Sequence, residues 1–105
     1  MRVIVIDGVA GVTTLYTSTD TAACPFSAAL LESGGKKLQS AVIECDANTG
    51  NSIRYAFGVA PAVDTKHFLA AGSVMEVVGY MNCANMQVIS DVALSAAKLW
   101  ITPKY

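Results

Sequence analysis

The chain has 105 residues, of which 53% are apolar and only 14% are charged, and its formal net charge at pH 7 is -1. This near-neutral balance, with the basic residues scattered along the chain, argues against nucleic acid as a direct partner. No apolar run approaches the roughly 20 residues of a membrane helix, so we expect no membrane span.

The shortage of charged residues is the most informative property of the composition. An average soluble domain carries about 25% charged residues, so roughly eleven charges are missing from a chain of this length. We therefore expect other protein subunits to cover part of the surface, because stable subunit interfaces resemble a hydrophobic core. The length allows one modest core, and residues 1–105 are predicted to form a single domain.

The N-terminal part, residues 1–37, has the least regular pattern. Residues 2–6 and 12–16 are predicted strands, and the threonine-rich residues 13–21 favour extended backbone because threonine is β-branched. The glycines between the two strands have GxxG spacing, whereas a dinucleotide-binding loop needs GxGxxG at the start of a helix. A turn is therefore the preferred interpretation. Residues 25–32 fit either one helical turn or an irregular connection.

From residue 38 onward, apolar and polar residues alternate, which predicts antiparallel strands. In residues 41–46 the apolar side chains of Ala41, Ile43 and Cys45 share one face and are expected to be buried. A thiol in such a position packs as a small apolar group and is unreactive.

A second strand is predicted at residues 53–57, with Ile53, Tyr55 and Phe57 directed inward and Arg54 directed outward. Residues 46–51, between this strand and the preceding one, are rich in turn-forming residue types. The two strands are therefore predicted to pair as a hairpin.

The following segments predict a strand at residues 73–79, a loop at residues 80–85, where asparagines flank a cysteine, and a strand at residues 86–90. The alanine-rich residues 91–100 fit a short helix, or a loop followed by a strand. We favour the second, because residues 97–102 alternate, with Leu99 and Ile101 on one face and Trp100 on the other. This last strand is predicted to end at Pro103.

The predicted strands start about 8–12 residues apart, a spacing typical of sandwiches and small barrels. We therefore predict an all-β fold, a small antiparallel β-sandwich of about seven to nine short strands.

No combination of residues indicates catalysis. His67 has neither an acidic residue nearby in sequence nor a second histidine with which to share a metal. The three cysteines are far apart and odd in number, which fits neither a disulfide framework nor a metal-binding knuckle. No serine lies in a nucleophile elbow. We predict that the protein is not an enzyme and needs no cofactor or metal.

The second half of the chain contains a series of short motifs in a distinctive order. They are SIRYAFG followed by Ala60 and Pro61, a polar stretch that ends at His67, LAAGS at residues 69–73, NMQVI at residues 85–89 and LWIT at residues 99–102. This order resembles small β-sandwich modules of tailed-phage virion proteins, of the head decoration, minor capsid or tail accessory type.

The resemblance implies a structural virion protein, made in the host cytoplasm, that stabilises the phage head through apolar contacts. Its partners would be further copies of itself, as in a trimer, and a major capsid protein. The alternative is a tail-associated module that recognises a host carbohydrate or protein, for which Tyr80, Asn82 and Asn85 would be the binding residues.

Aromatic residues and methionine are enriched at protein interfaces. We therefore expect subunit contacts at apolar side chains that the core is predicted not to need, in the irregular N-terminal part and around residues 80–86. These are Tyr16, Phe26, Tyr80, Met81 and Met86.

Overall fold

The computed structural model describes residues 10–105, with the exception of the side chain of Thr49. Nine strands and two short α-helices occur in this part of the chain, in the order β1 (Thr14–Ser18), α1 (Ala28–Leu31), β2 (Glu32–Ser33), β3 (Lys36–Lys37), β4 (Ser40–Cys45), β5 (Ile53–Phe57), β6 (His67–Leu69), β7 (Val74–Val78), α2 (Tyr80–Asn85), β8 (Met86–Ser90) and β9 (Ala97–Lys104). The strand predicted at residues 2–6 lies outside the described residues.

Two antiparallel sheets form the body of the protein. The four-stranded sheet has the order β1-β9-β4-β7, the three-stranded sheet has the order β6-β5-β8, and β2 and β3 form a separate small hairpin. The inward-facing side chains of both larger sheets belong to one buried apolar cluster. The predicted all-β fold, an antiparallel β-sandwich, is therefore confirmed.

The alternation of residues in β4 and β9 explains the core. Ala41, Ile43 and Cys45 are buried as predicted, and Ile43 lies opposite Ile101 while Cys45 lies opposite Leu99. Since side chains on a strand alternate between its two faces, these residues all point to the three-stranded sheet. Each fully buried leucine or isoleucine side chain contributes about 1.5–3 kcal/mol through the hydrophobic effect.

The predicted hairpin between residues 41–46 and 53–57 is wrong. β4 pairs with β7 and β9, whereas β5 pairs with β6 and β8, so the two strands belong to different sheets. The connection contains the 3-10 turn Ala47–Thr49, which ends at Gly50 with a φ of 71°. Turn-forming residues specify a change of direction, but they do not specify whether the next strand pairs with the previous one or crosses to the facing sheet.

The loop predicted at residues 80–85 is instead helix α2. The helix follows Gly79, whose φ of 101° and ψ of 135° lie in a region that only glycine adopts readily. The N–H of Cys83 donates to the C=O of Gly79 at 3.1 Å, and the Cys83 side chain is fully buried. So short a helix is stable only through its packing, which the sequence of the segment alone does not reveal.

The last strand, β9, confirms the strand interpretation of residues 97–102 but continues through Pro103 to Lys104. The C=O of Pro103 accepts from the N–H of Gly11 at 2.7 Å. Because the N and C=O of one residue in an antiparallel strand face the same neighbour, the proline nitrogen faces the Gly11 segment and not β4. The ladder with β4 therefore loses no hydrogen bond, and the proline does not end the strand.

Candidate subunit interface

The residues predicted to form subunit contacts occupy three different environments. Phe26 and Met86 are only 4% and 0% exposed and belong to the core, so the prediction that the core does not need them is wrong. Tyr16 and Tyr80 are half-buried and pack against the core, and the ammonium group of Lys37 lies 5.1 Å from the Tyr80 ring. Met81 is 61% exposed on α2.

The burial of Phe26 and Met86 has a simple cause. Met86 is the first residue of β8 and lies opposite Phe57 on β5, on the face of the sheet that also carries the buried Val88. Phe26 precedes α1 and packs in the same cluster as the sheet residues. An isolated aromatic or methionine in an irregular segment thus gives no sequence signal that separates a core position from a surface one.

The side of the four-stranded sheet that points away from the core is unusually apolar. Leu15 on β1 lies directly opposite Trp100 on β9, and these side chains are 46% and 39% exposed. The same side carries three valines: Val42, Val74 and Val78. We refer to these five side chains as the outer face. The alternation of β9 had already placed Trp100 on the side opposite Leu99, but the sequence did not identify Leu15 as its neighbour.

Four charged residues lie on this side of the sheet: Glu44, Glu76, Lys98 and Lys104. Glu44 lies opposite Trp100 and Val74, and Glu76 lies opposite Val42. Within residues 10–105 the one ion pair joins Arg54 and Asp91 at 2.7 Å, and it is not on this sheet. The exposed apolar groups of the outer face therefore lie among two carboxylates and two ammonium groups, and these four groups form no ion pair with one another.

A groove of about 430 Å³ runs beside β7, the strand at one edge of the four-stranded sheet. One wall is formed by two aromatic rings of the other sheet, Tyr55 and Phe57, whose centroids lie 6.1 Å apart in an edge-to-face arrangement. Phe57 was predicted to be buried, but it is 42% exposed, because it is the last residue of its strand and its ring lines this groove. Glu76 and Asn82 supply the polar groups.

A second groove, of about 340 Å³, lies beside β1 at the opposite edge of the same sheet. Its lining includes Leu15 and Tyr16 from the strand and Pro25 and Leu30 from the segment around α1. Burial raises the pKa of the Tyr16 hydroxyl, and the nearby Cys24 thiol acts in the same direction, so the phenol stays protonated at neutral pH. Both grooves are mainly apolar, and both flank the edges of one sheet.

The other thiols of the described residues are buried. Burial raises the pKa of both Cys45 and Cys83 to about 11, and the charges of Asp46 and Cys24, respectively, add to the effect. Both thiols are therefore protonated and poor nucleophiles at neutral pH. Among residues 10–105, no three His, Cys, Asp or Glu side chains are placed to hold a metal ion together.

The raised pKa values of Cys45 and Cys83 predict a loss of stability at alkaline pH. In the unfolded chain these thiols titrate near pH 9, and in the folded protein near pH 11. As the pH rises through this interval, the unfolded state loses protons first and is favoured. We expect urea denaturation to give a free energy of unfolding that falls between pH 9 and pH 11. The Cys45→Ala/Cys83→Ala variant should show a smaller fall, and an equal fall would contradict a role for the thiols.

None of the helices in residues 10–105 is long and apolar enough to cross a membrane.

Comparison of the chain with models of protein families, with curated proteins and with solved structures gives no match.

Proposed function

We propose that the chain is a structural virion protein that stabilises the head of a tailed phage, as a decoration or minor capsid protein, by binding copies of itself and a major capsid protein. The observation that carries this proposal is the outer face, where Leu15 on the edge strand β1 and Trp100 on the neighbouring strand β9 form an exposed apolar pair. Exposed apolar groups that lie together, rather than singly, are typical of sites of protein contact.

The size of the surface is compatible with this role. The folded chain exposes 5604 Å². A standard interface buries about 800 Å² on each partner, so two such contacts would cover more than a quarter of the surface. Contacts of this kind depend on buried apolar area and need no reactive group.

The proposal is tested with the purified protein and with phage heads that lack it. We expect native mass spectrometry to show an oligomer, and we expect the protein to co-sediment with heads at high copy number. Trp100→Ala should reduce the fraction of oligomer and the number of copies that sediment with heads by at least tenfold each. The circular dichroism spectrum should be unchanged. Lys98→Ala, on the same strand and the same side of the sheet, is the matched control and should behave as wild type.

The two variants also define what would contradict the proposal. A wild-type protein that remains monomeric and does not sediment with heads would refute it. If Trp100→Ala assembles as well as Lys98→Ala, the outer face is not the contact surface.

A second candidate function is favoured by the groove beside β7. The rings of Tyr55 and Phe57 line this groove together with Glu76 and Asn82, and such a combination of aromatic and polar groups is typical of sites that bind sugars or peptides. This supports the alternative of a tail-associated module that recognises a host carbohydrate or protein. Of the residues expected for it, Asn82 lines the groove, whereas Tyr80 packs against the core.

The two candidates differ in what the protein binds. A head protein sediments with capsids, whereas a receptor-binding module attaches to host cells or to immobilised glycans. Loss of cell attachment in Phe57→Ala, with capsid sedimentation absent in wild type, would favour the second function.

A further inference from the structure

We propose that copies of the chain associate head to tail, with β1 of one copy pairing with β7 of the next, so that the four-stranded sheet continues across the subunit boundary. This inference rests on the self-association in the proposed function and specifies its geometry. It follows from the backbone groups, the strand directions and the side chains at the two edges of the sheet.

The direction of the backbone groups in β7 is set by the hydrogen bonds at its ends. The C=O of Ser73 accepts from the N–H of Cys45 at 3.0 Å, and the N–H of Gly79 donates to the C=O of Gln39 at 2.7 Å. Odd-numbered residues therefore bond to β4. Since successive residues of a strand alternate, the even-numbered residues direct their N–H and C=O groups away from the sheet.

The even-numbered residues of β7 are Val74, Glu76 and Val78. The C=O of Val78 accepts from the side-chain amide of Asn82 at 2.8 Å. The other N–H and C=O groups of these three residues have no hydrogen-bond partner within residues 10–105. The edge of β7 therefore offers a row of donors and acceptors to another strand.

The same reasoning applies to β1. The C=O of Pro103 faces the N–H of Gly11, so the odd-numbered residues of β9 bond towards β1. These odd-numbered residues of β9 lie opposite the even-numbered residues of β1, which therefore bond to β9. Leu15 and Thr17 therefore direct their N–H and C=O groups outward, and no described residue bonds to them.

The strand directions allow the two edges to pair. β1 is antiparallel to β9, β9 to β4, and β4 to β7, so β1 and β7 run in opposite directions. A second copy in the same orientation, placed beside the first, brings its β1 antiparallel to β7. An antiparallel ladder also requires that bonded residues share one face. This condition is met, because Leu15 and Thr17 lie on the same side of the sheet as Glu76 and Val78.

One register matches the side chains well. It places Thr17 opposite Glu76 and Leu15 opposite Val78, so that a hydroxyl meets a carboxylate and two apolar groups, 46% and 62% exposed, cover each other. β1 carries no charged residue. Pairing of β7 with a second β7 would instead place the two Glu76 carboxylates side by side, which is unfavourable.

The proposed contact joins two different surfaces, the β1 edge of one copy and the β7 edge of the next. The two terminal copies of an open assembly therefore keep one unpaired edge each. Such a heterologous arrangement closes into a ring if the rotation between copies allows it, and otherwise grows as a filament. The inward-facing side of the incoming β1, which carries Tyr16, would lie over the aromatic groove beside β7. The groove would thus be an internal part of the assembly.

Disulfide trapping tests the register directly. In a Cys24→Ala background, Leu15→Cys and Val78→Cys are introduced together, and the protein is oxidised with copper–phenanthroline and dissolved oxygen. The distance between opposite Cα atoms in a sheet suits a disulfide. We expect a ladder of covalent dimers, trimers and larger species. The matched control, Leu15→Cys with Val42→Cys, places the second thiol inside the sheet and should give no ladder.

A charge substitution provides a second, independent test. Val78→Lys should weaken self-association at least tenfold in sedimentation velocity, whereas Val92→Lys, at an exposed position in the loop between β8 and β9, should not. Circular dichroism identifies any variant that fails to fold.

The outcomes separate this inference from the proposed function. An oligomeric wild type with no ladder and an unaffected Val78→Lys would overturn the β1 to β7 pairing and leave self-association intact. Cross-linking of Val78→Cys alone would indicate pairing of two β7 edges instead. A wild type that stays monomeric at all concentrations tested would overturn both.

Discussion

Replacement of Leu99 by alanine is expected to lower the free energy of unfolding by about 2–5 kcal/mol, because it removes a buried side chain and leaves a cavity. Leu99 is fully buried in the central strand β9, opposite Tyr16 on one side and Cys45 on the other. Domains of this size are stable by only about 5–15 kcal/mol, so the variant should be largely unfolded at moderate urea concentrations.

Leu94→Ala is the matched control for this substitution. Leu94 is 94% exposed, and its φ of 58° is as unusual for alanine as for leucine, so backbone strain is the same in both proteins. We expect a change within about 0.5 kcal/mol. Chain concentration should be held constant in the urea titrations, since any oligomer adds stability by mass action. Equal effects of the two substitutions would show that Leu99 is not a core residue.

The pair Met86→Ala and Met81→Ala gives the second large effect and separates core from surface in the region around α2. Met86 is fully buried, and its loss should cost about 2–5 kcal/mol in urea or thermal denaturation. Met81, five positions earlier in the sequence, is 61% exposed, and its replacement should change stability by less than about 0.5 kcal/mol.

This comparison also tests the assignment of contact residues. Of these two methionines, only Met81 is exposed in the folded protein and available to contact another subunit. Met86→Ala should therefore affect assembly only to the extent that it unfolds the protein. A Met86→Ala variant that is as stable as wild type but assembles poorly would restore Met86 as an interface residue.

Local patterns predicted the strands well. The alternation of Ala41, Ile43 and Cys45 gave both the position of β4 and its buried face, and Leu99 and Ile101 did the same for β9. Such predictions succeed because the period of two is a property of the strand itself. Alternation alone did not predict the exposure of Phe57, because the burial of a residue at the end of a strand depends on how far the facing sheet extends.

Long-range relations were not predictable in the same way. The turn formers between Cys45 and Ile53 could not indicate that the chain crosses to the other sheet. The helix after Gly79 depends on the burial of Cys83, which is a tertiary contact. The candidate interface was missed for the same reason, since Leu15 and Trp100 become neighbours only when residues 85 positions apart pair.

The central place of β9 in the four-stranded sheet has a consequence for biosynthesis. β1 and β4 both pair with residues 97–104, which are made after every other strand in this sequence. A nascent chain that has been extended only to residue 96 can pair β4 with β7, but it lacks the strand that joins β1 to β4. The four-stranded sheet can therefore be completed only after this region has been translated, and until then one edge of β4 and the whole of β1 lack their partner strand.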